Sequence, residues 1–86
     1  MPIYKKTVDL VEQIVDGELV VLDQASGQIH QFNATASEIW TCLDGKTTTD
    51  DVVKHIAEHY DIELDVARKD VELTLHQLSE QNLIEV

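Results

Sequence analysis

The chain has 86 residues, 43% of them apolar, with three glycines and one proline; it has room for one domain, spanning residues 1–86, with one modest core, and it has the composition of a folding chain. Six basic against 17 acidic side chains leave a formal net charge of -11, which argues against a nucleic-acid or anionic-membrane partner, because phosphate contacts need clustered Lys and Arg. The lone Cys42 cannot form an internal disulfide, and Met1-Pro2-Ile3-Tyr4-Lys5-Lys6 has no apolar stretch behind its lysines, so the expectation is a cytoplasmic protein without export signal or membrane span.

The first third reads as strands. Val8–Val15 carries a partly alternating apolar pattern and ends at Asp16-Gly17, a strong turn dipeptide. Glu18–Asp23 is a β-branched and leucine run suited to a central strand. A second turn at Ser26-Gly27 leads into Gln28–Phe32, a shorter third strand, and the three runs make an antiparallel meander.

The remainder reads as helices. Asn33 caps the first, with Ala36, Ile39, Trp40 and Leu43 at helical spacing and Asp44-Gly45 as its stop. A tryptophan in that stripe is most simply a core residue. Thr47-Thr48-Thr49-Asp50-Asp51 starts the second helix, whose apolar stripe is Val52, Val53, Ile56, Ala57 and Tyr60. The third runs from about Leu64 to Gln81 with Leu64, Ala67, Val71, Leu75 and Leu78 on one face; Asn82 takes the left-handed stop and Leu83-Ile84 folds back. The predicted class is α+β, winged-helix-like, a three-stranded antiparallel sheet followed by three helices.

Catalytic chemistry is hard to place. His55 and His59 share a helix face at four-residue spacing, but no third metal ligand is evident, so no metal site is expected. Cys42 lacks a histidine partner, the serines lie in no nucleophile motif, and the three glycines are isolated, so no catalytic residue is assigned. Acyl carrier proteins are also small and acidic, but they need an Asp-Ser-Leu tripeptide that does not occur here.

One ordered set of residues is more specific: Val20-Val21-Leu22-Asp23, Ser26-Gly27, Phe32-Asn33, Ile39-Trp40 and Leu43-Asp44-Gly45, then Tyr60-Asp61-Ile62, Asp70-Val71, Leu75, Leu78 and Asn82-Leu83-Ile84. From Val20 onward the chain resembles the PqqD-like family, named after the D component of pyrroloquinoline-quinone biosynthesis. It departs from the family at Asn82, where Gly is usual, and at Phe32, where Leu is more frequent.

The resemblance implies a non-catalytic recognition element without cofactor. Such a protein binds the leader segment of a ribosomally made precursor peptide and presents it to a modifying enzyme, often a radical S-adenosylmethionine enzyme. The leader would add as a strand along Gln28, Ile29, His30, Gln31 and Phe32, beside a helix side mapped to Arg68, Val71, Glu72, Leu75, His76 and Ser79. Phe32, Val71 and Leu75 fit the core at least as well as the groove. The alternatives are a winged-helix DNA-binding regulator, which the acidic third helix disfavours, and an unrelated protein-interaction domain.

Overall fold

The computed structural model describes residues 3–85; Met1 and Pro2, part of the segment in which the sequence shows no export signal, lie outside them, as does Val86. The described elements are β1 (Ile3–Lys6), β2 (Leu10–Val15), β3 (Glu18–Asp23), β4 (Gln28–Phe32), α1 (Ala34–Thr41), β5 (Asp44–Thr48), α2 (Thr49–Tyr60), α3 (Leu64–Glu80) and β6 (Ile84–Glu85).

The meander forms where the turn residues place it. Asp16 and Gly17 both take positive φ, 52° and 81°, as a two-residue mirror-image turn requires. They close β2 on β3 in register from Leu10 opposite Asp23 to Val15 opposite Glu18. The second turn is held locally: the Gly27 N–H donates to the Asp23 carbonyl at 2.7 Å, and the Gln28 N–H to Ser26 Oγ at 3.2 Å. It sets β4 against β3, from Asp23 opposite Gln28 to Leu19 opposite Phe32. Leu19, Val21 and Phe32 are buried against the helices.

Each helix begins and ends for a visible reason. Asn33 Oδ1 accepts from the Ala36 N–H at 2.8 Å to cap α1, and Thr48 Oγ1 accepts from the Asp51 N–H at 3.2 Å to cap α2. Helix α2 stops at Asp61, in the left-handed region. Beyond α3, Asn82 has φ 60°; its N–H donates to the Ser79 carbonyl at 3.1 Å, and the Leu83 N–H to the Leu78 carbonyl at 3.0 Å. This double closure is the Schellman motif, and it turns Leu83 and Ile84 back into the core.

Three expectations need correction. Asp44-Gly45 does not stop α1. The helix tightens and ends at Thr41, with the Cys42 N–H bonded to Ile39 and the Leu43 N–H to Trp40, at 3.0 and 3.1 Å. Gly45, at φ 78°, instead lies within β5. The N-terminal residues also form a strand: β1 is the middle of a second antiparallel sheet ordered β5-β1-β6. Leu64, expected in the apolar stripe of α3, is 55% exposed.

Trp40 is fully buried where the layers meet. The Phe32 ring at the end of β4 packs edge-on against it, centroids 5.3 Å apart, and Lys6 Nζ of β1 lies 4.9 Å from its ring centroid. Among the described residues no helix is long and apolar enough to cross a membrane.

Candidate functional site

The turn at Asp16-Gly17 decides which backbone groups the meander leaves free. A two-residue hairpin makes its flanking residues, Val15 and Glu18, a hydrogen-bonded pair. Bonding direction alternates along a strand, so Leu19, Val21 and Asp23 direct their N–H and C=O groups toward β4, where they meet Phe32, His30 and Gln28. Ile29 and Gln31 therefore direct theirs away from β3, to the outer side of β4, which pairs with no other strand among the described residues.

That outer edge borders a groove of about 500 Å³ between β4 and α3. Ile29, His30, Gln31 and Phe32 line one wall; Thr74, Gln77, Leu78, Glu80 and Gln81 line the other. A shallower hollow with Asp70 and Leu73 shares Asn33, Thr74 and Gln77 with it, so the depression continues along α3. The His30 Nε2 is buried and has no hydrogen-bond partner among the described residues. The Gln31 side-chain amide donates to the Glu18 carboxylate, tying the edge strand to its neighbour. No residue from Gln28 to Phe32 is an Asp, Glu, Lys or Arg.

All five expected strand residues are at this edge: Ile29, His30, Gln31 and Phe32 line the groove and Gln28 starts the strand. The expected helix-side residues do not line this groove. Arg68, Glu72, Leu75, His76 and Ser79 line a different hollow of about 390 Å³, shared with Tyr4 of β1 and Thr49 of α2. Arg68 is held there by Asp50 at 3.0 Å, and His76 pairs with Glu80 at 2.9 Å. Val71 is fully buried. The physical reason is rotational: Ala67, Val71, Leu75 and Leu78 form the buried stripe of α3, and the two hollows lie on its opposite flanks. Periodicity identifies the stripe but not which flank turns toward β4. The groove-side residues not expected, Thr74, Gln77, Glu80 and Gln81, are polar and leave no hydrophobic signal; exposed Leu73, 58% accessible, was the available hint.

Two other clusters carry chemistry. Cys42 is half-buried, and its thiol is pushed up by burial first, then by the nearby negative charges of Glu38 and Asp44. It is therefore held protonated, the opposite of an activated nucleophile. Glu38, on α1, lies beside His55 and His59: it places one carboxylate oxygen 2.9 Å from His55 Nε2 and the other 3.8 Å from His59 Nε2. The hydrogen bond from His55 holds the Glu38 carboxyl below the usual glutamate range, with lesser contributions from the charges of both histidines.

Known proteins share this architecture. The sequence model of the family described as Coenzyme PQQ synthesis protein D (PqqD) matches residues 18–84. No curated protein sequence matches the chain. Among solved structures, a lasso peptide synthetase B1 complexed with the leader peptide superposes with a TM-score of 0.88 at 24% identity, over 99% of this chain and 100% of its own. TbiB1 in complex with the TbiA(beta) leader peptide gives 0.85 at 25% identity, over 94% of each chain. The PqqD truncation of Methylobacterium extorquens PqqCD, a stand-alone recognition element for ribosomally synthesized and post-translationally modified peptides, gives 0.80 at 14% identity over 96% of this chain and 88% of its own.

Proposed function

We propose that this chain, which belongs to the PqqD family, holds the leader segment of a ribosomally made precursor peptide as an added strand on β4 and presents it to a modifying enzyme. One observation carries the proposal: a strand edge unpaired among the described residues and uncharged, with the Ile29 and Gln31 backbone groups turned outward, beside a groove that continues along α3. A peptide laid there satisfies those backbone groups in a continuous ladder, which supplies affinity, while the groove reads every second side chain, which supplies specificity. Two of the superposing proteins, TbiB1 and the lasso peptide synthetase B1, are complexes with leader peptides.

This role requires no bond to be made or broken. The module is non-catalytic; chemistry on the precursor belongs to its partner, a modifying enzyme such as a radical S-adenosylmethionine enzyme. Leader and recognition element meet in the cytoplasm, where the precursor is made.

The test is a titration of labelled cognate leader into wild-type protein, Ile29→Pro and Gln31→Pro, with circular dichroism to check folding. Proline removes an outward donor without touching the β3–β4 ladder. Both variants should stay folded and bind at least about tenfold more weakly, a loss of about 1.4 kcal/mol or more. Wild-type affinity in both folded variants would remove β4 as the site.

A further inference from the structure

Glu38, His55 and His59 form a cluster that leader binding does not use. None of the three lines the groove between β4 and α3. Each can offer one ligand atom, and these atoms all lie within 4.8 Å of one another. The two histidines come from successive turns of α2, their rings stacked with centroids 5.8 Å apart, and Glu38 reaches across from α1. From this geometry we infer that the chain carries a zinc site between α1 and α2, with His55 Nε2, His59 Nε2 and the Glu38 carboxylate as its three protein ligands.

The distances suit the ion. Tetrahedral zinc with bonds of about 2.0–2.1 Å separates its donor atoms by roughly 3.3 Å. Glu38 Oε2 stands 2.9 Å from His55 Nε2 and Oε1 3.8 Å from His59 Nε2, and one ligand atom from each residue lies within 4.8 Å of the others, so binding draws the three together by small side-chain shifts. The side chains are one-third to one-half exposed, so they can adjust around an ion, and solvent can reach it. Two imidazoles and one carboxylate match a borderline cation, whereas magnesium and calcium require sets made of oxygen. Three ligands leave the fourth position to water or to a group from another molecule.

The placement is also consequential for the fold. His55 and His59 extend along one face of α2, and Glu38 lies one turn after the Asn33 cap and two residues before Trp40. A bound ion would therefore fasten α1 to α2 from outside while Trp40 fastens the same helix from within. Without the ion, the same three groups make only an ion pair between the helices.

The test uses tag-free full-length protein, stripped with chelator and titrated with zinc chloride by calorimetry. The expected result is one equivalent bound with a dissociation constant of about 10 μM or tighter. His55→Ala, His59→Ala and Glu38→Gln should each weaken it at least about tenfold, as loss of a ligand requires. His76→Ala, which breaks the separate pair with Glu80, should bind zinc as wild type does. As a second readout, excess zinc should raise the melting temperature of wild type and not of the double variant His55→Ala/His59→Ala, since an ion stabilises only the state that binds it. Absence of saturable one-to-one binding, or unchanged affinity in the double variant, overturns the site.

Discussion

The meander has two outer edges, and they are treated differently. On β2, the alternation that begins at Val15 turns the backbone groups of Leu10, Glu12 and Ile14 outward. That edge carries a charge: Glu12 pairs with Lys6 of β1 at 3.5 Å. It overlooks a small hollow of about 230 Å³ with Ser37 and Thr41. On β4 the outward residues are uncharged, and the neighbouring depression is about twice as large and bounded by a full helix. Charged side chains discourage strand addition, so one edge is guarded and the other is left receptive. Equivalent backbone groups thus gain different uses from the side chains and helices around them.

The largest expected effect attacks what holds the receptive edge in place. Trp40→Ala removes the ring against which Phe32 packs, and should cost about 3–5 kcal/mol, the range for large aromatic truncations in cores. Thermal unfolding measures it; a melting curve near wild type would show that β4 does not depend on this contact. Next comes the comparison itself. Glu12→Pro on the guarded edge should leave leader affinity unchanged, in contrast to the loss of about tenfold or more expected for Gln31→Pro. Equal losses in the two folded variants would erase the distinction between edges.

A smaller effect separates the two flanks of α3. Thr74→Trp narrows the groove from the helix side and should weaken leader binding severalfold, while His76→Ala on the other flank should change it by less than about twofold, the range of a surface change away from a site. Fluorescence titration of both variants decides whether the groove flank is the working one. The smallest effect concerns the guard: Glu12→Gln breaks an exposed ion pair and should cost no more than about 0.5 kcal/mol by chemical denaturation. Any such loss should shrink further in high salt.

The meander was legible in the sequence because its determinants are local. Asp16-Gly17 and Ser26-Gly27 each join strands only a few residues apart, and Glu18–Asp23 has the composition of a central strand. The second sheet was not. Lys5 finds Asp44 on one side and Glu85 on the other, and strands of two to five residues such as Asp44–Thr48 carry too few apolar positions to show a period. Asp44-Gly45 misled for a definite reason: a positive-φ glycine after an apolar stripe signals a helix stop, but here it serves a strand beside an irregular register. The same limit applies to the sites. The strand wall of the groove followed from its place at the end of the meander, whereas the helix wall and the approach of Glu38 to His55 depend on how helices rotate against their neighbours.

The middle position of β1 also sets an order of events during synthesis. Its first partner, β5, begins at Asp44, and its second begins at Ile84. A chain emerging from the ribosome can close the β2–β3–β4 hairpins as soon as they appear, since those pairings span few residues. β1 must wait, unpaired, until β5 has been made, and its other side stays open until β6 follows α3. The receptive edge is therefore made early, but α3, the wall that completes its groove, arrives late in translation, just before the Schellman turn that delivers β6 to β1. A half-made chain would offer a leader the strand edge without the groove that gives the contact its selectivity.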